Sequence, residues 1–387
     1  MTEQYIWKDQ LLLGKIEAAA GTEESLDPAA DAALVGNLRF APNFQQDDGS
    51  SEHGSSLDAG EPIVLGGGVG VSFDARMKGS GAQGTPPEWG KYLRACGCAE
   101  TVTAAPVADT SQAGGANTIT LHAGASATDD AYKGMPIVQQ GERNLIVAYD
   151  GATKIATVAR DWDTPPTTTP FTIPANVLYR LASLDLAAMT LHGYLNANQA
   201  AVDSRRRRAV GARGNMSLRL GPRQLPIMSF QFTGILPGLP DNAARPTGVA
   251  LQATQAPAFR GATALIDGSP VKFTDFSLDF GGQVQQPDDP AQEYGMDVAA
   301  ITARRVNGSI TPYTKLNSTR DFYADWQNEV AREIAFWWGK TDGNRLALLL
   351  PAVRYTGNDE GNANGLATEG VTFQSTGFDD AFWLCVF

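Results

Sequence analysis

The chain is poor in the residues that most chemistry needs. It has 3 histidines and 3 cysteines in 387 residues. His53, His122 and His192 lie far apart, so a histidine-rich metal centre has little to be built from. Cys96, Cys98 and Cys385 are too few for a disulfide framework, and the first two are too close to bridge, which fits a reducing compartment. Charged residues make up only 19%, and the balance is acidic, with a net charge of −12. A protein that grips nucleic acid over a broad face normally has a basic balance. No apolar run approaches the roughly 18 residues of a membrane span; the densest, Leu346–Leu350, stops at Pro351. The first ten residues, MTEQYIWKDQ, lack the apolar run of a secretory signal.

Catalytic constellations are equally scarce. Gly79-Ser80-Gly81-Ala82-Gln83-Gly84 matches GxGxxG between a strand and a helix. The strand before it alternates, whereas the first strand of a dinucleotide fold is buried on both faces. The third glycine also precedes the helix instead of packing within it, so a turn is the better reading. No GxSxG elbow is present, and Cys96-Gly-Cys98 has neither redox nor zinc spacing. Acidic pairs such as Asp47-Asp48, Asp129-Asp130, Asp288-Asp289 and Asp379-Asp380 stand in turn contexts. Neither catalysis, a cofactor nor a metal is expected.

What the chain does have is Gly (41), Pro (22) and 43% hydrophobic residues, a composition of many turns and short strands around a substantial core. Val71, Phe73, Ala75 and Met77 alternate with Ser72, Asp74, Arg76 and Lys78; Met228, Phe230 and Phe232 alternate with Ser229 and Gln231; Phe276, Leu278 and Phe280 alternate with Ser277 and Asp279. Such alternation predicts antiparallel sheet with one wet face. Thr85-Pro86 predicts the start of a short helix carrying Trp89, Leu93 and Cys96, ended by Gly97. Ser318 and Asp321 predict a second, with Phe322, Trp326, Val330 and Ile334 on one face. Residues 117–173 read as an inserted small β module, with a hairpin of Leu145–Tyr149 and Lys154–Val158 around Asp150-Gly151. Asp380–Phe387 is apolar on both faces, a buried strand. Residues 1–40 read as extended or lightly structured, and 41–62 as a long polar loop. The two halves are loosely alike, each placing alternating strands ahead of one amphipathic helix. The run Arg205-Arg206-Arg207-Arg208 reads as a subunit-edge contact or a solvated edge.

Several segments resemble the tail tube (major tail) proteins of long-tailed bacteriophages. They are Leu11–Glu17 with Gly21-Thr22, Ala33–Leu38, Val71–Gly81 with Thr85–Gly90 and Leu93–Gly97, Gly211–Gly214 with Met216–Leu220, Met228–Gly234, and Phe276–Gly281. The resemblance implies a mainly β, antiparallel sandwich or barrel-like fold with one or two short flanking helices, divided as residues 1–110, an inserted module at 111–176, and residues 177–387. It implies a ring of six copies, stacked into a tube that conducts DNA without sequence preference, in contact with tape-measure, terminator and distal tail proteins. It places the chain in the virion tail, assembled in the bacterial cytoplasm, with no membrane insertion. The loop 41–62 matches the part that reaches the next ring, so Phe44, Asp47, Asp48, Glu52, His53 and Asp58 are expected inter-ring contacts. Residues 1–12 are a second candidate contact. The acidic balance suggests a lumen wall that repels phosphates. The alternatives are a capsid decoration or baseplate protein and, more remotely, a polysaccharide-degrading enzyme, which would need a carboxylate pair in a cleft.

Overall fold

The alternating segments become strands whose apolar residues meet in a single interior. A computed structural model describes residues 4–51, 57, 58, 60–199 and 202–387. The longer strands of the body are β1 (Tyr5–Ile16), β2 (Gly36–Asp47), β3 (Ile63–Arg76), β4 (Cys98–Thr103), β5 (Asn176–Leu181), β6 (Met189–Ala197), β7 (Ser204–Leu220), β8 (Ile227–Ile235), β9 (Thr263–Ile266), β10 (Phe273–Asp279), β11 (Asn307–Pro312), β12 (Arg332–Trp338), β13 (Leu346–Ala363), β14 (Leu366–Ser375) and β15 (Trp383–Val386). Helices α1 (Gly90–Ala95) and α2 (Phe322–Gln327) flank them.

Eight strands form one continuous antiparallel run, ordered β2–β3–β8–β7–β10–β11–β14–β13. Its inner face carries Phe73, Phe230, Met216, Phe276, Ile310 and Phe373 into the main core. A second layer, β4–β5–β15–β13–β12–β9, covers that core. Strand β13 turns from one layer to the other: Leu346–Leu350 pair with β12, and the residues from Val353 to Ala363 pair with β14. Strand β7 also spans two sheets, pairing through Arg205–Ala212 with β6, which lies beside β1, and through Ser217–Leu220 with β10. Strands that switch sheets in this way make the corners of a sandwich.

The eight-stranded run consists of two like quartets. Chain order and spatial order agree between β2–β3–β8–β7 and β10–β11–β14–β13. Both first pairs carry the same irregularity, with the register stepping three residues against two, at Gly36/Arg39 opposite Asp74/Ser72 and at Phe273/Phe276 opposite Pro312/Ile310. A short helix follows the second strand of each quartet, and Phe230-Gln231-x-Thr233-Gly234 in β8 echoes Phe373-Gln374-x-Thr376-Gly377 at β14. The weak likeness between halves noted in the sequence therefore has a structural counterpart.

A separate seven-stranded sheet is built from strands between Val107 and Ile173. Its core residues, among them Ile119, Ile137, Leu145 and Phe171, pack directly on Trp337, Leu349, Trp383 and Phe387 of the covering layer. The C-terminal strand is apolar on both faces because one face meets the main core and the other meets this sheet.

Three sequence expectations change. Residues 41–47 are strand, not loop, because β2 continues to Asp47. Within 1–40 the extended reading holds for Tyr5–Ile16, a full strand paired with β6. The first helix starts at Gly90, not at Pro86, and has no side-chain cap at Trp89. The second is capped by Asp321, whose carboxylate accepts from Ala324 N–H, but ends at Gln327. Glu329 takes a left-handed φ of 54° there, so Ile334 falls in β12.

Candidate assembly surfaces

The outward face of the eight-stranded run is wet and mostly uncharged. It presents Ser72, Ser217, Ser229, Gln231, Ser277 and Ser309, the residues between the buried positions of each strand. Cross-strand bonds hold this surface flat. Ser229 Oγ donates to Asp74 Oδ1 at 2.6 Å, Asn37 Nδ2 to Asp74 Oδ2 at 2.6 Å, Asn215 Nδ2 to Asp279 Oδ1 at 2.8 Å, and the Ser277 and Ser309 hydroxyls share a bond of 2.8 Å. Over the body of the sheet its charges are Arg39, Arg76, Arg213, Arg219 and Arg354 against Asp74, Asp275 and Asp279, with Arg213 bonded to the carbonyls of Leu186, Ala187 and Ala299. This wall is close to neutral, so the chain's acidity lies elsewhere.

Twelve carboxylates and no lysine or arginine lie in the segments 47–61, 286–297 and 355–375, which accounts for the whole net charge of −12. The first segment tips the β2–β3 hairpin. That hairpin runs past the body as an arm, paired from Pro42↔Val69 to Asp47↔Ile63. Proline is tolerated here because β2 is an edge strand. Gly66 and Gly67 let the segment 286–296 lie against the arm: Tyr294 C=O accepts from Gly67 N–H at 3.0 Å, and a Cβ on Gly66 would stand 2.5 Å from that oxygen. Phe44 packs on Tyr294 with ring centroids 5.7 Å apart, so it braces the arm from within. Asp47 and Asp48 each accept a turn N–H at 2.9 Å, from Gly49 and Ser50. The Ser50 bonds hold the Asp48 carboxyl below the usual range. Glu52 and His53 lie outside the described residues, and Asp58 is exposed. Ile63, Val64 and Leu65 are 61%, 57% and 62% exposed, an apolar stretch on the arm that sequence reading missed. Their apolar run was visible, but nothing local marked it as lying outside the core.

The arginine run alternates across β7. Arg206 makes a bidentate pair with Asp241 at 3.0 and 2.5 Å, and Arg208 reaches Glu23 at 3.1 Å. Asp241 is held below the usual carboxylate range by its bond to Arg206. His192 Nε2 stands 2.9 Å from Glu23 Oε1, and burial pushes the imidazole pKa down. On the other face the Arg207 guanidinium lies 5.1 Å from the Phe40 ring centre and donates to Gln10 Oε1 at 2.8 Å. Gly193 makes room for that ring, since a Cβ there would stand 2.3 Å from it. Arg205 is exposed and lines a cleft of about 300 Å³ with Trp7, Phe40, Pro42 and Leu195. Trp7 is 66% exposed, so the N-terminal strand also presents an aromatic at the foot of the arm.

All three thiols are buried, and burial pushes Cys98 up to about 12. Among the described residues no group of three metal-ligating side chains occurs, and no helix is long and apolar enough to cross a membrane. The outer edge of β2 and the far part of β13, residues 357–363, have no strand partner on their open side among the described residues. No curated protein matches the chain. A family model described as phage tail tube protein matches residues 7–378.

Proposed function

The chain belongs to the phage tail tube protein family, and from that premise we propose that its copies close edge to edge into rings whose bore passes DNA. The observation that carries this reading is the eight-stranded run, wet on one face and open at both long edges. An exposed strand edge is a template for pairing, and a closed head-to-tail ring removes every such edge. With the wet face inward, the bore is lined by hydroxyls, amides and nearly balanced charge. Along most of the bore a duplex meets arginines interspersed with carboxylates instead of an unbroken row of cations onto which its phosphates would release counterions, so it slides instead of sticking. This neutral wall replaces the phosphate-repelling acidic wall expected from the net charge. The β2–β3 arm and its tip, with Asp47, Asp48, Glu52, His53 and Asp58, reach the neighbouring ring. Arg205 and Trp7 meet a neighbouring copy, while Arg206, Arg207 and Arg208 hold their own fold. The protein's role is structural, without turnover, within a tail shared with tape-measure, terminator and distal tail proteins.

Electron microscopy of the purified chain at high concentration, with the mass of the smallest closed species from light scattering, tests this. Rings or tubes with a central channel are expected, and the mass counts the chains per ring. A closed dimer that never stacks would remove the tube reading.

A further inference from the structure

The eight-stranded run has two ends of opposite charge. At the arm end, β3 begins and β10 finishes, and the described residues of the segments 47–61 and 286–297 carry eight carboxylates and no lysine or arginine. Of the cations nearest this end, Arg206 is paired with Asp241, Arg208 with Glu23 and Arg304 with Asp379, while Arg205 and Arg305 are exposed. At the opposite end, where Arg76 pairs with Ile227 and Ile227 with Arg219, six cations are exposed: Arg76, Arg219, Arg223, Arg260, Lys272 and Lys315. Register and local bonds gather them. Arg223 N–H reaches Phe259 C=O beside Arg260, and Tyr313 N–H reaches Lys272 C=O two residues before Lys315. Of the six, Arg219 faces a carboxylate, Asp275, at 3.8 Å. Asp359 and Glu360 also point this way, but on the β13–β14 hairpin at the far edge of the sheet.

Resting on the tube reading, we infer that the basic end of one copy is the seat for the acidic arm end of a second copy stacked on it. Opposite charge on the two ends makes head-to-tail stacking attractive and both head-to-head and tail-to-tail stacking repulsive. It therefore fixes one polarity along the tube. The exposed Ile63, Val64 and Leu65 at the base of the tip supply apolar area that enters the same joint. Apolar burial holds the joint, while charge steers the approach and rejects the wrong orientation.

The test is the initial rate of tube growth by light scattering, with ring mass and tube length read on the same samples. For the wild type the rate falls about tenfold or more as salt rises from about 0.05 to about 0.5 M, because the Debye length shrinks to a few ångströms. The triple variant Arg76→Glu, Arg219→Glu and Lys272→Glu still forms rings but does not stack. The variant Asp48→Arg, Glu61→Arg and Glu293→Arg behaves likewise, and mixing the two variants restores stacking. Because strong reversal can harm folding, Arg76→Gln with Lys272→Gln is read in parallel, with a wild-type melting curve and a slowed growth rate expected. Salt-independent growth, or triple variants that stack like the wild type, would overturn the charge-seated joint while leaving the ring intact. A wild type that forms no ring at low salt would overturn the tube reading as well.

Discussion

Glu333 shows how far a residue's environment can depart from what its position announces. It stands in β12 beside a cleft of about 530 Å³ between the loop Asp267–Pro270 and the seven-stranded sheet at Val147 and Thr157–Asp161. Burial, and then the nearby Asp267, push its carboxyl up to about 8, with Lys133 opposing. The folded pKa therefore lies above the ordinary 4.5. Below that ordinary value both states are protonated and no penalty exists. As pH rises toward about 8 the unfolded chain gives up its proton first, and stability falls. Urea midpoints of the wild type should decline between about pH 5 and about pH 8, with Glu333→Gln declining less and becoming the more stable protein above that range. Equal slopes in the two proteins would assign the pH dependence to other groups. Nothing near position 333 in the sequence signals this, because the perturbing surroundings come from residues 147–161 and 267–270. The arginine run read as a subunit or solvated edge, and the partners that three of its members find within the chain, Asp241, Glu23 and Gln10, are equally non-local.

At the scale of elements, legibility followed burial. Val71, Phe73 and Ala75 are buried while Ser72 and Asp74 are half-buried, so the pattern of two was written in the residues. The same holds for β8 and β10, each with one face in the core. The arm was illegible for the converse reason. Ala41–Asp47 is exposed on both faces apart from half-buried Phe44, so no alternation is required of it. Only its pairing with Ile63–Gly70 makes it strand. The tip is therefore smaller than the polar stretch: residues 48–62 can be replaced without cutting the ladder. Joining Asp47 to Ile63 through Asn-Gly, a favoured two-residue hairpin turn, should leave the melting curve and ring mass unchanged and prevent growth beyond single rings. Tubes of wild-type length from that variant would move the stacking contact to Trp7 and the N-terminal strand.

On the scale of the whole molecule, the seven-stranded sheet is geometrically removable and energetically not. Thr103 and Asn176 pair directly across β4 and β5, so its two connections leave the body side by side. A tight turn joining them would preserve the ladder. Yet the sheet covers Trp337, Leu349, Trp383 and Phe387, which are at most 8% exposed beneath it. Returning large apolar side chains to water costs about 1.5–3 kcal/mol each. Four of them approach the roughly 5–15 kcal/mol that holds a typical domain folded. Deleting residues 104–175 with an Asn-Gly closure should accordingly give an aggregating chain that binds hydrophobic dyes and has no sharp urea transition. Changing Trp337, Leu349 and Trp383 to threonine in the same deletion should recover solubility, because threonine suits a strand face exposed to water. A simple deletion that melts like the wild type would mean that the covering layer tolerates water on that face. The apolar runs at Leu346–Leu350 and Phe382–Phe387 would then need another cover.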